Sequence, residues 1–415
     1  MSKTTLCFLF LLLGITSQIR SQHIQEISED ELRDKIKGYW IGQLVGNYLG
    51  FPFENLYTDV PIPILVDRYY DFRALDTIEL KMNADDRRAF VPIMAGAMGG
   101  AWSDDDTDIE FVTLHAVEKY GLDLTYEEIT LMWKKHINRF IWSANRKARD
   151  LMEEGMLPPA TGSKQYNPYW YRITSQLVNE IWSAFYPGMT KIAAQRAEWG
   201  AHIMCDDWAT HATRAYGVMY SAAFFEKDVN ELVTLAINDL PEDSPYRKGL
   251  ENLVLWHQEN KDWRDTRQLI HAHYYHTVDG FDIEFPVAGS VVNGLSGVMA
   301  LMYGEGDFTK TVAIATSAGY DCDNQAATLG GLVGVMQGAS SIPDYFTLKL
   351  NPELGWTTPF NNQYINYSRD GLPNYNTIDD IIDRIMKISE EAILSQGGEV
   401  TIREGEKYYM VPVDF

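Results

Sequence analysis

The chain of 415 residues is long enough for one large domain or two ordinary ones, and 46% hydrophobic content with 13% aromatics supports a substantial core. Its 35 basic residues stand against 58 acidic ones, for a formal charge of −23, and such a field repels phosphate backbones and anionic membrane surfaces. Nucleic acid is therefore not expected as a partner and a small-molecule or glycan substrate is, although local cations can still hold a small anion.

The N-terminal MSKTTLCFLFLLLGITSQIRSQ has one Lys, an apolar run from Leu6 to Ile15 and small polar residues after it, the layout of a secretory signal peptide over residues 1–21. The run is too short to span a bilayer comfortably. Cleavage is expected near Ser17 to Gln22, leaving a periplasmic or secreted protein with no stable membrane insertion. Without Cys7, only Cys205 and Cys322 remain, so at most one disulfide forms and neither a cysteine framework nor a zinc ribbon can be built.

Beyond the leader, apolar residues recur at helical spacing far more than they alternate. Ser28 to Glu31 reads as a capping box with Ile27 as a staple against Leu32, and Ile36, Trp40, Leu44 and Tyr48 continue one face. Further helices are predicted over 109–121, 126–137, 172–186, 189–204, 209–226, 229–238, 246–258, 264–275, 287–303, 308–318, 324–338 and 378–395. After Gly397-Gly398 the segment EVTIREGEKYYMVPVDF alternates well enough for a hairpin turning near Gly405. No linker or regular repeat divides the chain. The expected architecture is all-α: one helical domain over 27–397 and a tail over 398–415 with a small hairpin.

The first helix contradicts its own propensities. In GYWIGQLVGNYLGFPFE, Gly38, Gly42, Gly46 and Gly50 recur at every fourth position, although glycine in a helix interior costs about 0.5–1 kcal/mol relative to Ala. Close packing against another backbone offsets that cost, and the helix would deliver Glu54 to a shared pocket. GYDCDNQAATLGGLVGVMQG repeats the device, with Asp321 and Asp323 preceding a small-residue stripe of Ala327, Gly331, Gly334 and Gly338.

Two acid clusters open helices: Asp104, Asp105, Asp106 and Asp108, and Asp321 with Asp323 and Asn324. Each alone reads as an ordinary acidic helix start, capping free N–H groups. Together, if the helix starts face one another, they supply roughly five or six oxygen ligands, the shell that hard cations take. A pair of ions about 3.5–4 Å apart would hold vicinal hydroxyls and activate water.

The order of these segments resembles the ADP-ribosylglycohydrolase family, including the dinitrogenase reductase-activating glycohydrolases. That family's opening pattern, G-x-x-x-G-x-x-x-G-D-A-x-G-x-P-x-E, is matched by Gly38, Gly42, Gly46, Gly50, Pro52 and Glu54, with Asn47 in place of the acidic residue and Tyr48 in place of the alanine. T-D-D-T is similar to Asp104 to Thr107, and G-x-D-x-D-T-x-A-A-x-x-G to Gly319 through Gly330. An alternative register takes Ser103 to Asp106 as the second signature. The resemblance implies an orthogonal helical bundle whose cleft holds two divalent ions, Mg²⁺ or Mn²⁺, with Ca²⁺ as a further choice. The implied metal ligands are Asp104, Asp105, Asp106, Asp321, Asp323 and Asn324, and the implied catalytic groups are Glu54, Asp105 and Asp321. Glu54 would shuttle a proton or orient water.

The middle of the chain departs from the family. Asn179 to Pro187 corresponds to an N-G-x-x-M-R-I-x-P segment without its arginine, and NPYWYR (167–172) and RFIWSANR (139–146) are rich in rings that either fill the core or stack on sugars. His271, His273 and His276 do not share a helix face, which argues against a zinc site. His202 and His211 flank a third acidic stretch. No Walker loop, nucleophile elbow, HExxH or dinucleotide fingerprint is present. The expected chemistry is hydrolysis of an N- or O-glycosidic bond at C1 of a ribofuranose-like sugar, and an extracellular furanoside fits the leader. The alternative is a metal-stabilised sugar- or nucleotide-binding protein without turnover.

Overall fold

The computed structural model describes residues 23–70, 80–83, 99–103, 105–347 and 362–415, so the predicted leader and Asp104 lie outside the described residues. Ser28 opens the first helix through its side chain, which accepts the Glu31 N–H at 3.1 Å. The helices then follow in chain order: α1 (Glu29–Gly50), α2 (Asp105–Tyr120), α3 (Tyr126–His136), α4 (Ser143–Glu153), α5 (Ile181–Phe185), α6 (Thr190–Ala201), α7 (His211–Ala222) and α8 (Val229–Asp239). Continuing are α9 (Pro245–Glu259), α10 (Trp263–Tyr274), α11 (Ser290–Gly304), α12 (Phe308–Ser317), α13 (Cys322–Gln337), α14 (Asp344–Thr347) and α15 (Ile378–Ser395). The expected all-α bundle is therefore observed.

The tail turns back at Glu404-Gly405, both at positive φ (+55° and +91°), as a two-residue hairpin loop requires. It joins β6 (Glu399–Arg403) to β7 (Glu406–Val413). An unforeseen strand, β1 (His23–Ser28), pairs antiparallel with β7 from His23 opposite Val413 to Ser28 opposite Tyr408, making a three-stranded sheet from the two ends of the described chain. Short pairs β2–β3 (Thr277–Val278, Phe281–Asp282) and β4–β5 (Gln363–Ile365, Tyr375–Thr377) complete the strands described. Cys205 and Cys322 are both buried and free, so the single disulfide that composition allowed does not form.

Two predicted boundaries need correction. Segment 172–186 is not one helix: it holds a three-residue 3₁₀ turn at Ile173–Ser175, irregular backbone, and only the five-residue α5. Its side chains are buried on nearly every side, so periodicity carried no information about backbone shape. Conversely, α4 was missed because its apolar stripe, Ala144, Ala148, Leu151 and Met152, begins with two alanines in an otherwise polar sequence.

The glycine stripe of α1 lies directly on α13, running antiparallel. A methyl added at Gly38 would sit 2.1 Å from the Gly334 carbonyl oxygen, at Gly42 2.1 Å from that of Gly330, and at Gly46 1.9 Å from that of Ala326. At Gly50 it would meet the Asp323 Cα at 2.1 Å. The face of α13 involved is Asp323, Ala326, Gly330 and Gly334; of the expected stripe Gly334 lies in it, Gly331 sits beside it against the Tyr220 hydroxyl and Gln43 of α1, and Gly338 abuts Asp34.

Beside this contact, Glu110 of α2 and Glu180 just before α5 are buried together. Tyr39 donates to Glu110 Oε2, the Ile181 N–H to Glu110 Oε1 at 2.8 Å, and Thr328 Oγ1 to Glu180 Oε1 at 2.8 Å. Burial pushes Glu180 up to about 7, and burial followed by the Glu180 charge holds Glu110 well above the carboxylate range. The pair therefore retains protons that the unfolded chain loses.

Two outcomes follow. Gly46→Ala, favourable in an exposed helix, is expected to destabilise this protein by about 1–3 kcal/mol in urea unfolding, because the methyl overlaps backbone. Since both folded pKa values are raised, the stability contributed by the carboxyl pair is fully present below about pH 4.5 and is lost as pH rises through the folded value of about 7 for Glu180 and the raised one of Glu110. Urea unfolding from pH 5 to 8 should show a shallower decline for the Glu110→Gln/Glu180→Gln variant than for the unmodified chain.

Candidate functional site

The register of α1 on α13 decides where the acids meet. Gly50 ends α1 against Asp323, the chain turns through Phe51 and Pro52, and Glu54 comes beside the start of α13. One carboxylate oxygen from each of Glu54, Asp321 and Asp323 lies within 4.8 Å of the others. Asp105 and Asp106, in the first turn of α2, line the same cleft, whose volume is about 790 Å³.

Several contacts orient these acids. Asn55 Nδ2 donates to Glu54 Oε1 at 2.9 Å, and the Asp321 N–H donates to Asn293 Oδ1 at 3.2 Å. Asn293 is itself fixed by donating to the Val287 and Gly289 carbonyls at 2.7 and 2.9 Å. Asn47, where the family pattern has an acid, donates from Nδ2 to Asp106 and accepts from Ser103 Oγ at 3.2 Å. The substitution thus exchanges a carboxylate for a donor that restrains Asp106.

Asn324 is placed differently from the other predicted ligands. It is buried, its Oδ1 accepts from Gln325 Nε2 at 2.9 Å, and it does not line the cleft. Asp104 falls outside the described residues. Three carboxylates so close together repel one another unless a cation or a proton intervenes. Their donors are all oxygen, the set that suits Mg²⁺, Mn²⁺ or Ca²⁺ rather than zinc. The neighbouring Thr107 hydroxyl is buried with no hydrogen-bond partner among the described residues. Burial, then the charges of Asp323, Glu54 and Asp321, push the Cys322 thiol well up.

The remaining sequence candidates separate cleanly. Trp142 and Tyr169 line the cleft, whereas Trp170 and Tyr171 are buried. Asn179 and Glu180 lie in the core. His271 Nδ1 pairs with the Tyr320 hydroxyl at 3.0 Å and His211 Nδ1 with Ser244 Oγ at 2.8 Å; among the described residues these histidines join no metal-binding cluster.

Sequence reading missed Arg267, on α10. Fully buried, it donates from Nε to the Ala318 carbonyl at 3.0 Å, from Nη1 to that of Asp59 at 3.0 Å, and from Nη2 to that of Thr58, with its Cζ 4.2 Å from the Tyr320 ring centroid. It clamps the loop after Glu54 to the loop before Asp321. Two backbone bonds reinforce this seam, Asn55 N–H to Tyr320 O at 2.8 Å and Tyr320 N–H to Tyr57 O at 2.9 Å. Gly319 completes it at φ +78°, where a methyl would lie 2.1 Å from the Tyr57 carbonyl oxygen. No motif marks an arginine that works by donating to carbonyls from another helix. Arg267→Met should cost roughly 1–3 kcal/mol in urea unfolding, because one buried and two part-buried carbonyls lose a charged donor, and Arg267→Lys should recover only part of it.

Comparison with known proteins identifies the family and the fold. The ADP-ribosylglycohydrolase family pattern matches residues 28–386. Among solved structures, the chain is similar to one titled "ADP-ribosylglycohydrolase-related protein complex", with a TM-score of 0.52 and 14% identity, over 87% of this chain and 99% of that one. No curated protein matches in sequence. From the ordered glycine and acid motifs, the helical bundle they build and the match over residues 28–386, the chain belongs to the ADP-ribosylglycohydrolase family.

Proposed function

We propose that the protein is a divalent-metal-dependent glycoside hydrolase acting at C1 of a ribofuranose-like sugar, and that it works in the periplasm or outside the cell. The observation that carries this reading is the convergence of Glu54, Asp321 and Asp323 in the cleft lining, which Asp105 and Asp106 share. Those five carboxylates would hold one or two ions, Mg²⁺ or Mn²⁺ in the first instance and Ca²⁺ in the second. When bound, such ions supply Lewis acidity and a template for the sugar's vicinal hydroxyls.

The chain's own groups do the rest. Glu54, with one oxygen oriented by Asn55 and the side chain only partly buried, is placed to position the attacking water and accept its proton. Asp105 and Asp321 border the same space and would stabilise positive charge that develops on the sugar as the C1 bond breaks. The rings of Trp142, Tyr169 and Phe285 offer stacking faces for the sugar or its leaving group.

Asn47 and Asn324 favour a second reading, a protein that binds metal and sugar without turnover, since both remove potential carboxylate or hydroxyl ligands relative to the family pattern. One experiment separates the two. Purified protein is assayed with Mg²⁺ or Mn²⁺ on ADP-ribosyl-arginine, ADP-ribosyl-serine and simple aryl ribofuranosides, alongside metal content and thermal unfolding. Hydrolysis that requires the ion, together with loss of both turnover and metal-linked stabilisation in Asp321→Asn/Asp323→Asn, is the expected result. Metal-linked stabilisation without product identifies the binding protein, and no response to any divalent ion sinks both readings. Efficient cleavage of the ADP-ribosyl compounds alone would overturn the extracellular furanoside.

A further inference from the structure

Glu54 and Asp321, which carry two of the three converging carboxylates, are each flanked by a residue in left-handed backbone: Asn55 after the first and Tyr320 before the second, both at φ +62°. Asparagine tolerates that region, whereas a bulky aromatic residue adopts it only where its surroundings impose it. Here the imposition comes from α10. Arg267, His271 and Tyr275 recur at every fourth position, on one face that runs off the end of that helix, and all three meet the buried ring of Tyr320. The Arg267 guanidinium lies 4.2 Å from the ring centroid, His271 Nδ1 pairs with the hydroxyl at 3.0 Å, and the Tyr275 centroid is 5.6 Å from that of Tyr320. The main chain of Tyr320 in turn holds the Glu54 side. Its carbonyl accepts the Asn55 N–H at 2.8 Å, and Asn55 donates to Glu54 Oε1 at 2.9 Å. Asn83 fixes the same turn, donating from Nδ2 to the Glu54 carbonyl at 3.0 Å and from its N–H to that of Pro52 at 2.7 Å.

We propose that Tyr320 is a positioning residue: gripped by the Arg267, His271 and Tyr275 face of α10, it sets the separation of Glu54 from Asp321 and thereby the affinity of the acid cluster for a divalent ion. All four residues stand outside the cleft lining, so they act through the backbone of their neighbours and touch no ligand. Groups that only hold the ligating side chains in place govern metal affinity by about 10–100-fold. A glycine at position 320 would take the same φ freely but would offer α10 no ring to hold, which accounts for a tyrosine where the backbone alone favours glycine. His271 thus serves the site without binding metal, as the anchor of the tyrosine hydroxyl. The inference rests on the metal-binding part of the reading above and not on the identity of the substrate.

The test is calorimetric titration of the protein with Mn²⁺, at a temperature where circular dichroism shows each variant folded, together with turnover of an aryl ribofuranoside. Tyr320→Leu keeps apolar bulk but gives α10 no ring, and Arg267→Lys keeps the charge but not the planar fork; both are expected to weaken Mn²⁺ binding about ten-fold. Tyr320→Phe, which keeps the ring, should stay within about two-fold of the unmodified protein, and so should Ile393→Ala, a core truncation against Gly398 that lowers stability away from the seam. If Tyr320→Leu does not fold, His271→Ala, at a half-buried position, should show a loss of about three-fold in the same direction. Unchanged affinity in the folded seam variants, or an equal loss in Ile393→Ala, overturns the proposal and leaves the seam as a stability element alone. If the unmodified protein binds no Mn²⁺, the proposal and the metal-dependent reading fall together. If it binds Mn²⁺ with the expected pattern among the variants and cleaves no furanoside, the positioning role stands and the hydrolase reading fails.

Discussion

Backbone-to-backbone contact between α1 and α13 is the constraint on which the site depends. Four positions of α1 lack a side chain because any Cβ there would overlap the main chain of α13. The interaxial distance is therefore set by peptide groups, which cannot change rotamer, and not by side chains, which can. That rigidity is transmitted to the ends of the two helices. Gly50 meets Asp323, so the turn carrying Glu54 and the helix start carrying Asp321 and Asp323 are in register before any ligand arrives. The propensity lost by placing glycines inside a helix is the cost of that placement.

Around this axis the protein buries polar groups where they brace the site. Arg267 joins the two acid-bearing loops through three carbonyls, and Asn293 holds the Asp321 backbone from α11. Glu110 and Glu180 link α2, α5, α1 and α13 through Tyr39 and Thr328. Each bond is made between elements distant in sequence, so removing one partner strands another in a medium where an unmatched polar group costs more than a hydrogen bond returns. Acids and the cations Arg146, Lys147 and Arg172 share the cleft lining, a local mixture of charge that the overall balance conceals.

Much of the fold was legible because helical amphipathicity is a local signal. The helices around 126–137, 229–238, 308–318 and 378–395 appear within a few residues of their predicted bounds. Legibility failed where burial is uniform or the stripe is weak. Between 172 and 186 nearly every side chain is inside, so a helix and a string of turns look alike. On α4 the alanines that face the core are too small to stand out. β1 was invisible for a different reason, since its partner β7 lies almost 400 residues away in sequence.

The sequence by itself determined the family, the helical class and the acids that open α2 and α13, because each is carried by short-range spacing of residue types whose chemistry is intrinsic. It also offered Glu54, through its place after the glycine-striped helix and its match to the family pattern, as a residue of a shared pocket. Only the tertiary structure decided which acids converge, that Asn324 turns its oxygen to Gln325 and does not line the cleft, and that Arg267 ties the acid-bearing loops. It also decided that Arg146, Lys147 and Arg172 share a cleft with the acids. Those facts depend on side-chain direction and on contacts between distant segments, and no periodicity along one chain encodes either.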